Sequence, residues 1–166
     1  MDIKIYLTNL AQYNDGRLIG EWLNLSELSE DQLNIAIKRI LGNDEEYFIT
    51  DFEAPFRIEE YSNAHELRNA AEKLAGMNDY EAAAVIFLIE EGNTLTEALE
   101  EYESVVSYSA GSFEELAEQF VDEGLFGEIP ESIQNYIDYE KIGRDLSFDY
   151  TESEYNGQTY FFDRNY

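Results

Sequence analysis

Hydrophobic and polar positions change period several times along the chain. Ile3, Ile5 and Leu7 alternate with Lys4 and Tyr6, the period of two that marks a half-buried strand. Asn14-Asp15-Gly16 marks a turn, and RLIGEWLNL (17–25) is the expected return strand. Ser29 and Gln32 have the spacing of a capping box, which predicts a helix with Leu33, Ile37, Ile40 and Leu41 inward and a stop at Gly42. EEYFITDFEAPF (45–56) supplies a third strand. The next stretch is wholly helical in pattern. Asn63 and Glu66 open a first helix that Gly76 ends, a second apolar helix runs to Gly92, and Thr94 with Glu97 opens a third. From Ser104 the types mix again. SVVSYS (104–109) reads as a strand, and Ser112 with Glu115 caps a helix ending near Gly124. Near the end, SFDYTES and QTYFFD flank Tyr155-Asn156-Gly157, and Asn-Gly is a strong hairpin signal.

These periods divide an α+β chain into thirds: a mixed third with a three-stranded sheet over 1–61, a helical third over 62–103, and a second mixed third over 104–166. One segment resists a simple reading. Glu128 to Leu146 has proline at Pro130, which suits a first helical position. As one helix it has two apolar faces, with Ile133, Tyr136 and Ile137 on one arc and Tyr139, Ile142 and Leu146 nearly opposite. Glu131, Asp138 and Asp145 fall seven residues apart and stack into an acidic stripe between them. A break near Asp138 also accounts for the two arcs. Gly143 sits mid-helix, where alanine is the better helix former, and suggests a local bend.

Charge changes the picture most. Across 166 residues there are 37 acidic and 10 basic side chains, a net of −27. Between Lys73 and Lys141 there is no lysine or arginine but seventeen aspartates and glutamates. With 44% hydrophobic and 14% aromatic residues the chain can bury cores, so it is not a disordered acidic tail. Self-repulsion on this scale opposes compaction, and it favours a basic partner over a merely solvated surface. Ten scattered cations cannot build the basic patches that direct nucleic-acid binding requires. The absence of cysteine removes disulfides and thiolate chemistry and fits a reducing cytoplasm. No signal peptide is visible, and AAAVIFLI (82–89), the longest apolar run, falls short of the ~18 residues of a membrane span.

A search for chemistry returns little. His65 sits in the first turn of a capped helix and reads as an exposed polar residue rather than a catalytic base. No phosphate-loop, dinucleotide, nucleophile-elbow or zinc-protease motif occurs, and no calcium loop, so neither cofactor nor metal is expected. A two-carboxylate hydrolase remains an alternative, because any pair among so many acids can meet across a cleft. A generic acidic partner of some other basic protein, such as a nucleoid protein, is a second. A third use follows from charge density. B-DNA carries one negative charge per ~1.7 Å of axis, so 27 charges match a rod of about 46 Å. A protein of that line density can occupy a groove built for DNA.

Three blocks carry a resemblance that favours this use. LAEQFVDEGLFGEIPESIQNYIDYEKIGRDL (116–146) resembles the antirestriction motif region of the ArdA family, and IYLTNLAQYNDGRLIGEWL (5–23) and EEYFITDFEAPF resemble its N-terminal segments. The resemblance implies a non-enzymatic DNA mimic, carried by mobile elements, that inhibits type I restriction–modification enzymes at their methyltransferase core, is built of three small domains in a row and works as an elongated homodimer. It places the mimic surface on Glu97, Glu100, Glu101, Glu103, Glu114, Glu115, Glu118, Asp122, Glu123, Glu128, Glu131, Asp138, Glu140 and Asp145. It makes Ile133, Tyr136, Ile137 and Tyr139 the dimer-interface candidates. One apolar arc of the Pro130 segment then packs on its own domain and the other lies at the subunit contact, in an order that periodicity leaves open.

Overall fold

The computed structural model describes residues 2–165, which divide into two compact units, 1–77 and 78–166. The boundary falls at Met77. It assigns the first helix of the middle third to the N-terminal unit and the other two to the C-terminal one, where the sequence pattern placed divisions at 61 and 103.

In the N-terminal unit, β1 (Lys4–Asn9) is the central strand, flanked by β2 (Gly20–Asn24) and β3 (Tyr47–Glu53), both antiparallel to it. The predicted alternation is realised, with Ile5 and Leu7 buried together with Leu23 and Ile49. Over this sheet lies α2 (Glu30–Leu41), which packs on β1 through a face that buries Leu33, Ala36 and Ile40. Its Ser29–Gln32 capping box forms as the sequence indicates. α3 (Ala64–Ala75) follows, and Arg68 Nε ties it back by donating to the Leu28 carbonyl at 3.0 Å. The sequence pattern missed α1 (Leu10–Asn14), a single turn inside the predicted β1–β2 connection. Its cap, Asn9, is buried. Asn9 Oδ1 accepts from the Gln12 amide, and Asn9 Nδ2 donates to the Ile40 and Leu41 carbonyls, satisfying the end of α2.

The C-terminal unit is built around β6 (Gln158–Asp163), which lies between β4 (Ser107–Ser109) and β5 (Tyr150–Tyr155), antiparallel to both. Tyr160, Phe161 and Phe162 are all buried, so both faces of this strand are covered. Phe161 joins Leu116, Ala117 and Phe120 of α6 (Phe113–Asp122) and Leu146 of α8 (Tyr139–Asp149). On the other face Phe162 stacks on Phe87 of α4 (Asp79–Glu90), with ring centroids 4.5 Å apart. That explains why α4 is apolar all round, with Ala82 through Leu88 buried. α5 (Leu95–Glu101) follows it, opened by the Thr94–Glu97 capping box. β5 and β6 are joined at Asn156-Gly157, both with positive φ, as a two-residue hairpin demands.

Of the two readings of Pro130 to Leu146, the single helix is corrected and the break near Asp138 is found. Glu131–Gln134 forms one short turn, α7, and α8 begins anew at Tyr139. Asp138 supplies the new start, accepting from the Lys141 amide at 3.1 Å. The seven-residue acidic stripe therefore does not lie along one helix. Gly143 marks a close approach rather than a bend, since α8 runs through it and a Cβ there would lie 2.6 Å from the Phe113 carbonyl oxygen. SFD (147–149), expected as strand, ends α8 instead.

Candidate partner-binding surface

The acidic residues are unequally shared between the units. The C-terminal unit carries 22 aspartates and glutamates against three cations, a net of −19, whereas the N-terminal unit has 15 against seven, a net of −8. Pairing widens the contrast. Among the described residues, five ion pairs lie in the N-terminal unit: Lys4–Glu53, Arg17–Asp15, Arg39–Glu21, Arg57–Glu59 and Arg68–Glu72. Among the described residues of the C-terminal unit there is one, Lys141–Asp138 at 2.6 Å.

All fourteen carboxylates singled out in the sequence lie in the C-terminal unit, and all are exposed. α6 shows why. Phe113, Leu116, Ala117 and Phe120 repeat at helical spacing and turn inward, so Glu114, Glu118 and Asp122 form a row on the outer side. At 1.5 Å rise per residue, successive carboxylates of this row are about 6 Å apart along the axis. Glu97, Glu100 and Glu101 ride on α5, Glu103 on the 3-10 turn after it, and Glu140 and Asp145 on α8.

Five of the fourteen have structural engagements. Glu97 accepts from the backbone and hydroxyl of Thr94, and those bonds hold its carboxyl below the usual range. Glu115 accepts from the Gly111 amide at 2.8 Å, Glu123 from Gln119, and Glu103 from the Tyr102 hydroxyl. Asp138 caps α8. Its hydrogen bonds with the Lys141 side chain and backbone pull its carboxyl down and raise the Lys141 ammonium. The other nine (Glu100, Glu101, Glu114, Glu118, Asp122, Glu128, Glu131, Glu140 and Asp145) make no hydrogen bond or ion pair among the described residues. Charge that is neither paired nor folded into a cap is what an opposite partner can neutralise.

The two apolar arcs of the Pro130 segment separate in space. Tyr139, Ile142 and Leu146 pack on the core of their own unit. Ile133 and Tyr136 face solvent, Tyr136 with 85% of its surface accessible, and Ile137 is half-buried. The sequence reading passed over Leu125 and Phe126, two further exposed apolar residues. Their signal was present in GLFG, where Gly124 and Gly127, both at positive φ, bracket an apolar pair in an acidic stretch.

Among the described residues no group of His, Asp and Glu has the geometry to hold a metal ion, and no helix is long and apolar enough to cross a membrane. No curated protein shows detectable sequence similarity to the chain. A family model does match, that of the antirestriction protein ArdA, over residues 5–161. That span takes in most of both sheets, the capped acidic helices and the Pro130 segment, and the chain therefore belongs to the ArdA family of antirestriction proteins.

Proposed function

We propose that this antirestriction protein acts by DNA mimicry, binding the methyltransferase core of a type I restriction–modification enzyme in its DNA groove and catalysing nothing itself. The observation that carries the reading is the −19 of the C-terminal unit, with nine exposed carboxylates unengaged. A groove lined by lysine and arginine for phosphates attracts such a surface over long range and neutralises it by charge-assisted contacts. The protein works in the cytoplasm, where restriction enzymes meet incoming DNA, and as a homodimer. Leu125, Phe126, Ile133 and Tyr136 are the apolar group best suited to the subunit contact, since exposed apolar residues this close in sequence favour burial against a second copy.

The test is competition. A purified type I methyltransferase is loaded with a labelled duplex containing its target and titrated with the protein. The expected result is displacement of the duplex at near-stoichiometric protein, with no retardation of DNA by the protein alone. A duplex that stays bound under a large excess of protein, or direct DNA binding at physiological salt, sinks the proposal.

A further inference from the structure

Of the chain's twelve asparagines only Asn156 precedes a glycine, and the structure puts that pair at the tip of the β5–β6 hairpin. We propose that Asn156 is a site of spontaneous deamidation, and that Asp79 of α4 sets both its rate and its consequence. The proposal is independent of what the acidic surface binds.

The reaction needs only the chain and water. The Gly157 amide nitrogen, giving its proton to solvent, attacks Cγ of Asn156. The Cγ–Nδ2 bond breaks and that nitrogen leaves as ammonia. Water then opens the five-membered imide at one of its two carbonyls, giving aspartate or isoaspartate, and nothing is oxidised or reduced. Glycine is the most permissive follower, because it adds no side chain beside the attacking nitrogen. Both residues are exposed, and a Cβ on Gly157 would meet nothing within 4 Å. Asn156 is held, however. Its Nδ2 donates to Asp79 Oδ2 at 3.2 Å, and its φ of 52° belongs to the two-residue turn that Tyr155 and Gln158 close. Cyclisation therefore waits on local opening of the tip, and the bond to Asp79 is part of what opening must break.

The product loses more than that one bond. A carboxylate in place of the amide stands against the Asp79 carboxylate, so a donor–acceptor pair becomes a like-charge pair. The field of Asp79 already reaches this tip: burial first, and Asp79 next, raises the Tyr155 and Tyr160 phenols. Isoaspartate also lengthens the main chain by a carbon, inside a turn whose length fixes the register of its strands. That register belongs to β6, the central strand, whose Phe161 and Phe162 pack on opposite faces of the sheet.

Ageing the purified full chain in mildly alkaline buffer tests this, with peptide mapping to read aspartate and isoaspartate at each asparagine. Conversion is expected first at Asn156 in the wild type. In Asp79→Ala it should run roughly threefold to tenfold faster, the factor by which losing one hydrogen bond shifts a local opening. Asn156→Gly, which keeps a turn that accepts positive φ, should show no early conversion. An Asn156 that stays intact, or converts after other asparagines, overturns the site. Equal rates in wild type and Asp79→Ala overturn the part given to Asp79. Thermal unfolding reads the consequence. Asn156→Asp should melt below wild type at neutral pH, and the difference should shrink in the Asp79→Ala background. A difference that stays unchanged there overturns the like-charge contact.

Discussion

Single residues here are chosen for what they touch more than for what they prefer. Gly143 is the plainest case, because helix propensity alone favours alanine there by about 1 kcal/mol. The neighbouring Phe113 carbonyl reverses the sign, since a Cβ would fall 2.6 Å from its oxygen and 2.7 Å from its carbon. Gly143→Ala is expected to destabilise the C-terminal unit by about 1–3 kcal/mol, read from urea unfolding, and a gain in stability would refute the contact. Asp138 makes a pH-dependent contribution. Its hydrogen bonds with Lys141 hold its folded pKa below the ordinary value. The stabilisation is therefore fully present above the ordinary carboxylate range and is lost as pH falls through the depressed folded value. Asp138→Ala should melt below wild type at neutral pH, and the two curves should converge in acid; a constant offset would show that the charge plays no part. Of this, only a break near Asp138 was legible in the sequence. Glycine and aspartate at these positions signal a bend and a stripe equally well until the partner across the helix pair is known.

At the level of elements, what was legible is what local chemistry fixes. The Ser29–Gln32 and Thr94–Glu97 boxes, the alternation of Ile3, Ile5 and Leu7, and the Asn156-Gly157 turn each depend on neighbours within a few residues. What failed depends on distant ones. α1 is a turn whose cap, Asn9, owes its burial to the end of α2, 31 residues away. The Pro130 segment fails for a related reason, because its two apolar arcs serve different surroundings and a single rigid helix cannot serve both. The central strand shows the strength of tertiary demand. Three consecutive aromatics, Tyr160, Phe161 and Phe162, break the period of two because helices cover both sheet faces. Phe161→Ala removes the ring between α6 and α8 and should cost about 3–5 kcal/mol in chemical unfolding. A loss below about 1 kcal/mol would mean that the cluster repacks.

For the whole molecule, the acidic character was legible from counting alone, while its concentration on one unit needed the fold. Nine unengaged carboxylates acting together predict a distributed function. Exposed pairs contribute about 0–1 kcal/mol each and add when well separated. Glu131→Gln or Asp145→Asn alone should weaken inhibition by less than about tenfold, and combining neutralisations from Glu100 to Asp145 should erode it step by step, as should added salt. One such exposed carboxylate with an all-or-none effect would favour a catalytic role instead. Assembly is read separately by scattering. A compact monomer of 166 residues has a radius of gyration of roughly 15 Å, which the proposed dimer should exceed; a value near it at micromolar concentration would remove the dimer from the proposal.

The position of β6 bears on how the protein is made. The strand that both β4 and β5 pair with is the last of the six in chain order, at 158–163. During synthesis the N-terminal unit has all three strands of its sheet by residue 53 and can fold while the ribosome continues. The acidic unit has to wait. Until 158–163 emerges, Phe87 and the inner side of α6 have no strand to close on, and repulsion among unpaired carboxylates holds the nascent segment open. A chain interrupted at Gly157 thus leaves a folded N-terminal unit followed by an expanded, protease-sensitive polyanion.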